Sequence, residues 1–221
     1  MALIELRGES AGYAGKTVLS DLDFSVEPGE RIALVGESGA GKTTLLRIIY
    51  ERCGNRAALV PQEFGLVQAL TVFHNVYMGR LHLRSLWRNL HNLFRPRQQD
   101  IHDVAVVLEK LRLSDNIFSG VGELSGGQQQ RIAVGRALYH PGQVLVADEP
   151  VSSVDEHQAR EILQTINSEK ETVIIAMHDR SLAIEFADRL IGIKAGKIVL
   201  DVPSDGMKPT DLDELYQVSA E

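Results

Sequence analysis

Apolar side chains follow two different periods along this chain. Continuous apolar runs predict strands that are buried on both faces, because such a strand has no polar side to alternate. These runs are 31–35, 57–60, 143–147 and 171–176. Apolar residues at helical spacing predict helices over 42–51, 72–83, 99–113, 126–139, 156–168 and 180–188. Residues 2–7 and 22–27 alternate apolar and polar positions, which predicts a half-buried antiparallel pair.

Strands and helices in this order predict an α/β fold with a helical insertion. We expect residues 1–62 and 141–221 to form one α/β core and residues 63–140 to form a helical subdomain within a single domain, 1–221. A length of 221 residues suits one core with one inserted subdomain.

Composition and charge narrow the class of protein. A hydrophobic fraction of 44% and a charged fraction of 24% are ordinary for a soluble globular protein. The net charge of −7 gives the surface no general attraction for nucleic acid, so we expect no nucleic-acid partner. No apolar run approaches the roughly 18 residues that span a bilayer. Cys53 is the single cysteine, which excludes an internal disulfide.

A glycine-rich loop follows the predicted strand at 31–35. It fits the phosphate-binding pattern G-x-x-x-x-G-K-[ST], in which backbone N–H groups curl around phosphate oxygens, and it has the strand before it and the helix after it that this pattern requires. We expect Lys42 to reach the β- and γ-phosphates of ATP and the Thr43 hydroxyl to ligate Mg²⁺. The expected ATP-binding residues are Gly36, Glu37, Ser38, Gly39, Ala40, Gly41, Lys42, Thr43 and Thr44.

Polar residues follow two further apolar strands. Asp148 and Glu149 end the strand at 143–147, and this carboxyl edge is where open α/β sheets bind ligands. We expect Asp148 to hold Mg²⁺ through water and Glu149 to polarise the attacking water. His178 follows the strand at 171–176 and would sense the γ-phosphate if the two strands are neighbours. An acidic pair can also be a solvated turn, and a lone histidine can be structural. The phosphate loop in the same chain favours the functional interpretation of these residues.

A second small glycine-rich turn lies more than eighty residues after the first. Residues 124–128 read Leu124-Ser125-Gly126-Gly127-Gln128 and precede a predicted helix, where N–H dipoles converge on an anion. Two such cradles in one short chain suggest a nucleotide that is clamped from two sides.

These motifs together resemble the ATP-binding-cassette (ABC) ATPases. The phosphate loop, Gln62, 124–128, 144–149, 152–155 and His178 occur in this family's order along nearly the whole chain. The resemblance implies a P-loop NTPase fold with a RecA-like nucleotide-binding core, a small antiparallel β subdomain and an α-helical subdomain that carries the second turn, called the signature. It also implies an ATPase with ATP and Mg²⁺ as cofactors.

The resemblance also assigns roles to single residues near the nucleotide. Glu149 resembles the catalytic base and His178 the switch histidine. Gln62 looks like the hinge glutamine that contacts Mg²⁺ and the attacking water. Tyr13 is similar to the aromatic residue that stacks on adenine, and without the family ordinary strand packing explains it equally well.

The signature has a role only across two subunits in this family. Residues 124–128 would contact the γ-phosphate bound by another copy of the chain, and Asp155 resembles the aspartate of the loop that communicates across that interface. The resemblance therefore implies a head-to-tail homodimer that ATP closes.

Finer similarity points to a transport system. Residues 71–81 and 86–88, and the tail from 191–201 through 215–216, resemble the ATP-binding subunits of phosphonate importers. This implies separate transmembrane permease subunits, an extracytoplasmic solute-binding protein and a peripheral location at the cytoplasmic side of the inner membrane. The alternative is a soluble ABC ATPase that serves a cytoplasmic complex. A P-loop kinase is disfavoured because it would give the signature turn no role.

Two further features of the sequence affect these expectations. The short spacing between Thr43 and Gln62 leaves little room for the usual β-hairpin, so part of the antiparallel subdomain is in doubt. The second feature is an acid-free stretch with interleaved Leu, Trp and Phe whose arginines are Arg80, Arg84, Arg88, Arg95 and Arg97. One interpretation is an amphipathic helix that packs its apolar side inward and exposes a basic face. The other places this stretch near anionic headgroups or the permease.

Overall fold

A computed structural model describes residues 2–13 and 16–216, apart from the side chains of Tyr13 and Lys16. Its strands are β1 (Ile4–Tyr13), β2 (Lys16–Val26), β3 (Arg31–Val35), β4 (Ala57–Val60), β5 (Val144–Asp148), β6 (Thr172–Ala176), β7 (Arg189–Lys194) and β8 (Lys197–Pro203). Its α-helices are α1 (Lys42–Cys53), α2 (Val72–Tyr77), α3 (Leu86–Phe94), α4 (Gln98–Lys110), α5 (Gly126–Tyr139), α6 (Glu156–Glu169) and α7 (Arg180–Phe186). Short 3₁₀ turns cover Gly54–Arg56, Met78–Leu83, Ser114–Asn116, Val121–Glu123 and Pro209–Tyr216.

The central sheet has the strand order β4-β5-β6-β3-β7-β8. The first five of these strands run parallel, and β8 closes the edge antiparallel to β7. The chain therefore passes from β3 over β6 and β5 to the edge strand β4, and later from β6 over β3 to β7. Loops that follow β4, β5, β6 and β3 all emerge at one carboxyl edge of the sheet.

Each face of this sheet has its own apolar core, because successive side chains of a strand point to opposite faces. On β3, Ile32 and Leu34 belong to the core shared with α1, β1 and β2, whereas Ala33 and Val35 belong to the core on the other face. That second core also contains buried residues of α2, α4, α5 and α6. The helical segment is thus packed into the same core as one face of the sheet.

The α/β fold with four apolar strands in its main sheet was predicted from the sequence and is confirmed. The antiparallel pair β1–β2 is also present, longer than its alternating pattern indicated. The helix expected over 72–83 is α-helical only to Tyr77 and continues as a 3₁₀ turn. The segment after α1 passes through the short turn Gly54–Arg56 directly into β4, so the antiparallel subdomain consists, within 2–13 and 16–216, of the pair β1–β2.

The arginine-rich stretch differs from the interpretation in which its apolar side packs inward. Arg80 donates to the Tyr139 carbonyl oxygen at 2.6 Å and lies over the Tyr139 ring. Arg88 makes a two-pronged ion pair with Asp100, whose side chain is fully buried. The leucine, tryptophan and phenylalanine side chains of α3 are exposed. That interpretation was wrong, because the buried carboxylate of Asp100 draws the polar side of α3 inward.

Asp100 is the anchor of α3. Its carboxylate accepts hydrogen bonds from Arg88 and from the buried amide of Asn92, the latter at 2.8 Å. Burial alone would raise the pKa of Asp100, but these hydrogen bonds outweigh burial and hold the pKa below its usual value.

Replacing Asp100 with alanine should therefore lower the free energy of unfolding by about 3 kcal/mol, because a half-buried guanidinium and a buried amide lose their acceptor. Urea unfolding followed by circular dichroism measures this change. Glu109→Ala, an exposed position on the same helix, is the matched control and should change stability little. Equal stability of both variants would show that Asp100 does not hold α3.

Candidate active site

The glycine-rich loop joins β3 to α1 at the carboxyl edge of the sheet. Gly36 has φ 143° and Gly41 has φ 115°, a backbone region that L-residues rarely adopt. A Cβ at Gly36 would lie 2.2 Å from the Ile193 carbonyl oxygen, and one at Gly41 would lie 2.5 Å from the Leu19 side chain. Both positions therefore require glycine, which lets the loop curl and turn its N–H groups inward.

Lys42 closes this loop from inside. The buried ammonium group donates to the carbonyl oxygens of Gly36 at 2.7 Å and Glu37 at 3.0 Å. Burial lowers the pKa of Lys42, while the carboxylates of Glu149 and Asp148 act in the opposite direction. A cation held in this position can pair with phosphate oxygens once a nucleotide enters the loop.

Thr43 and Asp148 meet behind the loop. The Thr43 hydroxyl donates to an Asp148 carboxylate oxygen at 2.6 Å, and Asp148 is only 5% exposed. Burial raises the pKa of Asp148, and the Thr43 hydrogen bond counteracts part of that rise. A hydroxyl and a carboxylate are oxygen ligands of the kind that Mg²⁺ prefers, with phosphates and water supplying the rest. The two residues fit a magnesium site.

Glu149 and His178 form a close pair at the same edge. Their strands are neighbours, with Asp148 of β5 opposite Ala176 of β6. The His178 Nε2 atom lies 2.6 Å from a Glu149 carboxylate oxygen. Glu149 has φ 53°, unusual for a residue with a side chain, and its N–H donates to the Ala176 carbonyl oxygen at 3.0 Å. Strained backbone of this kind clusters at active sites.

One cleft of about 200 Å³ collects most of the predicted nucleotide residues. Gln62, which follows β4, lines it together with Glu149 and His178. The loop residues at the cleft are Ser38, Gly39, Gly41, Lys42, Thr43 and Thr44, and Val18 of β2 also lines it. The side chain of Tyr13, predicted to stack on adenine, lies outside the part of the chain that the structure describes.

The signature turn occupies a different place. Ser125 caps the N-terminus of α5, where its hydroxyl accepts from the Gln128 N–H and the Gln128 side chain accepts from the Ser125 N–H. Of the residues that line the cleft, none belongs to 124–128. A Cβ at Gly127 would lie 3.0 Å from the Ser153 carbonyl oxygen, so this turn packs tightly against the loop before α6. The N-terminus of α5 is left exposed to solvent.

Asp155, predicted to act at a subunit interface, lies at the N-terminus of α6. Its carboxylate accepts from the Gln158 N–H at 3.0 Å, which makes it the N-cap of this helix. That backbone hydrogen bond lowers the pKa of Asp155. Its interface role stays a prediction.

Two residues of α5 connect the predicted site residues, and neither was predicted. Gln130 is fully buried and donates to the Glu149 carbonyl oxygen at 2.9 Å, while its own oxygen accepts from the Ser153 N–H at 2.9 Å. Arg136 donates to the carbonyl oxygens of Phe64 and Gly65, both at 2.6 Å, just after Gln62. Only Gln130 has a signal in the sequence. It stands four residues before Val134, on the helix face that is otherwise apolar and buried, where a polar residue needs a hydrogen-bond partner.

A phosphate loop with an acid pair and a histidine on neighbouring strands defines a P-loop nucleotide hydrolase. The family model described as "ABC transporter" matches residues 19–152, and the chain belongs to this family. It is therefore an ATP-binding subunit with ATPase activity.

The relatives are similar over almost the full length. The "Phosphonates import ATP-binding protein PhnC" of Stutzerimonas stutzeri is 33% identical, over 97% of this chain and 90% of that protein. The protein of the same name from Shouchella clausii is 34% identical, over 97% of this chain and 91% of that protein.

Two solved structures share the fold. "Structure of ATP binding subunit of ABC transporter" has a TM-score of 0.76 at 21% identity, covering 96% of this chain and 97% of that chain. "Dimeric Structure of MJ0796, a Bacterial ABC Transporter Cassette" has 0.74 at 24%, covering 92% and 99%.

Within 2–13 and 16–216, none of the helices combines the length and the apolar character needed to cross a bilayer.

Replacing Gln130 with methionine should lower kcat for ATP roughly tenfold while KM changes little, because the turn that carries Glu149 loses its support from α5. Steady-state ATPase assays give both parameters. Gln98→Met, at an exposed position outside this network, is the control. An unchanged kcat in a folded Gln130 variant would remove Gln130 from the positioning of this turn.

Proposed function

We propose that this chain energises an importer of phosphonates or related oxyanions, through a head-to-tail dimer that closes on ATP and Mg²⁺. One observation carries the dimer on which this proposal depends. The cleft collects the phosphate loop, Gln62, Glu149 and His178, whereas the exposed signature turn lies outside it. The cleft of one copy therefore lacks the second anion-binding turn, residues 124–128.

The residues of the cleft suit phosphoryl transfer to water. Glu149 is close enough to His178 for the imidazole to fix the direction of the carboxylate, which would then accept a proton from the attacking water. Lys42 and the loop N–H groups would stabilise charge on the phosphate oxygens. Bound between Thr43, Asp148 and Gln62, Mg²⁺ would supply further stabilisation of that charge. Water attack on the γ-phosphate then yields ADP and phosphate.

A second copy of the chain would complete the site. At the N-terminus of α5, the N–H groups of Gly126 and Gly127 have no acceptor within the helix and suit an anion. If that turn met the γ-phosphate held by the other copy, the same phosphate would satisfy donors on both sides of the interface. Hydrolysis would remove this shared anchor, so the dimer would open. The fold neighbour whose title describes a dimeric cassette agrees with such an assembly.

The relatives favour transport over the alternative of a cassette serving a cytoplasmic complex, because the full-length matches are named for phosphonate import. The chain would then work at the cytoplasmic side of the inner membrane, on separate permease subunits that receive solute from an extracytoplasmic binding protein. These partners would supply the translocation path and most of the selectivity for the solute.

Glu149→Gln should bind ATP, fail to hydrolyse it and accumulate as a closed dimer, because the amide keeps the shape of the side chain and loses the base. Light scattering after gel filtration should show the mass doubling from 24.4 kDa when ATP is added. Rapid turnover by this variant would exclude Glu149 as the base.

Two further variants distinguish the role of the signature turn from that of the phosphate loop. Glu149→Gln combined with Ser125→Arg should still bind ATP but stay monomeric, because the signature is blocked. Lys42→Ala should lose nucleotide affinity itself. If the Ser125→Arg double variant dimerised as well as Glu149→Gln, the head-to-tail arrangement would be wrong.

Transport of phosphonate is tested in proteoliposomes that hold this chain together with candidate permease subunits from the same organism. A binding protein loaded with methylphosphonate should stimulate ATP hydrolysis, whereas the same protein without solute or with sulfate should not. If only an unrelated solute stimulated hydrolysis, the proposed role as an ATPase subunit would stand and the phosphonate assignment would be wrong.

A further inference from the structure

The 3₁₀ turn Pro209–Tyr216, called the 209–216 segment below, packs beside the start of the phosphate loop. Its residues Leu212 and Leu215 are buried in the apolar core on one face of the central sheet. A Cβ at Gly192 would lie 2.8 Å from a methyl carbon of Leu215, so the segment lies directly on β7. In the sheet, Gly192 is opposite Val35, the last residue of β3. The segment is therefore held where β3 passes into the loop.

Tyr216 makes a hydrogen bond to the first residue of the phosphate loop. Strand β3 ends at Val35, and the next N–H along the chain, that of Gly36, donates to the Tyr216 hydroxyl oxygen at 3.2 Å. The two residues are 180 positions apart in the sequence. The carbonyl oxygen of Gly36 accepts from the Lys42 ammonium group at 2.7 Å. The backbone of Gly36 is thus held on both sides.

Arg180 connects Tyr216 to the loop that carries His178. It is the first residue of α7 and stands two positions after His178. Its guanidinium carbon lies 4.0 Å from the centre of the Tyr216 ring, within the range of a cation–π interaction. The guanidinium also forms an ion pair with Asp213 and donates to the Pro209 carbonyl oxygen at 3.4 Å. One side chain from the His178 loop therefore contacts both ends of the 209–216 segment.

We propose that Tyr216 is a positioning residue of the phosphate loop and that Arg180 acts through it. The 209–216 segment thereby connects two loops of the cleft, one that carries Lys42 and one that carries His178. The proposal rests on the ATPase activity of the chain and requires neither the proposed dimer nor a transported solute.

Nucleotide binding increases the importance of the Tyr216 hydrogen bond. The Lys42 ammonium group donates to the carbonyl oxygens of Gly36 and Glu37 and so holds the loop from inside. The phosphate oxygens of a nucleotide compete for this ammonium group, which weakens its bonds to the loop. The Tyr216 hydroxyl still holds Gly36, whose φ of 143° only glycine adopts readily and from which glycine moves easily. Loss of the hydroxyl should therefore weaken nucleotide binding.

A purely structural role for the segment makes a different prediction. Leu212 and Leu215 cover the apolar core, and the Tyr216 hydroxyl would serve only to satisfy a partly buried N–H. Loss of the hydroxyl would then destabilise the fold and reduce the amount of active protein. The affinity of the remaining folded protein for nucleotide would stay the same, so affinity separates the two roles.

Tyr216→Phe removes the hydroxyl and keeps the ring that Arg180 contacts. Isothermal titration calorimetry of the full-length protein with Mg-ADP should show a Kd that is roughly fivefold higher, as expected for one lost hydrogen bond. The KM for ATP should rise by a similar factor while kcat changes by less than about twofold. Tyr77→Phe is the matched control, because it also removes one hydroxyl hydrogen bond, to Asn89 in the helical segment. It should keep the Kd of the unmodified chain.

Arg180→Gln tests the connection to the His178 loop. It removes the ion pair with Asp213 and the contact with the Tyr216 ring, so the Kd for Mg-ADP should rise by about threefold. Combined with Tyr216→Phe, it should weaken binding no further, because both changes act on the same hydrogen bond. Arg7→Gln, which breaks the exposed ion pair with Glu5, is the control. Circular dichroism confirms that each variant is folded.

Hydrogen exchange gives an independent measurement. If Tyr216 favours nucleotide binding, bound nucleotide must in turn stabilise the contacts of the 209–216 segment. Mg-ADP should therefore slow amide exchange in this segment of the unmodified chain, and the slowing should disappear in Tyr216→Phe.

Three results would overturn the proposal. An unchanged Kd in folded Tyr216→Phe would leave the hydroxyl a structural role only, and an equal loss of affinity in Tyr77→Phe would assign the effect to general stability. If the double variant weakened binding by the product of the two single effects, Arg180 would not act through Tyr216. Because binding of Mg-ADP needs neither a second copy nor a permease, each of these results leaves the proposed importer standing.

Discussion

The parallel pairing of β4, β5, β6 and β3 is the constraint on which the site depends. Each of these strands ends at the same edge of the sheet, and each is followed by one part of the cleft: Gln62, the Asp148–Glu149 pair, His178 and the phosphate loop. Residues more than a hundred positions apart thereby come within hydrogen-bonding distance, as Thr43 and Asp148 do at 2.6 Å. A slip of one residue between β5 and β6 would turn Asp148 to the other face and separate Glu149 from His178.

Helix α5 connects this edge to the signature turn. Its N-terminus is the signature itself, Gln130 on its first turns holds the backbone of Glu149, and Arg136 near its end holds the loop after Gln62. An anion that arrived at the N-terminus would therefore act on a rigid element that supports both loops of the cleft. This arrangement gives the proposed dimer a physical route from signature contact to the hydrolytic residues, because a packed helix moves as a body.

The sequence predicted those parts of the site that short local patterns determine. A phosphate loop needs its glycines and its lysine within eight residues, so the pattern alone places it, and apolar strands place Asp148, Glu149 and His178 at strand ends. Gln130 and Arg136 were missed because their partners are backbone carbonyls 19 and about 70 residues away in the chain, and any residue supplies a carbonyl. The contact exists only after the sheet has formed.

Helix α3 shows a different limit of sequence patterns. Periodicity reveals that a helix has an apolar stripe, and it does not reveal which side the protein covers. The choice depends on one residue of the next helix. Asp100 is fully buried, and a buried carboxylate is tolerable only with charged and hydrogen-bonding partners, which Arg88 and Asn92 supply. Because Arg88 and Asn92 must reach Asp100, the polar side of α3 faces inward. Leu86, Trp87 and Phe94 are therefore left exposed to water, which solvates apolar side chains poorly. An electrostatic requirement in the interior of the helical segment thus creates the apolar surface on its exterior.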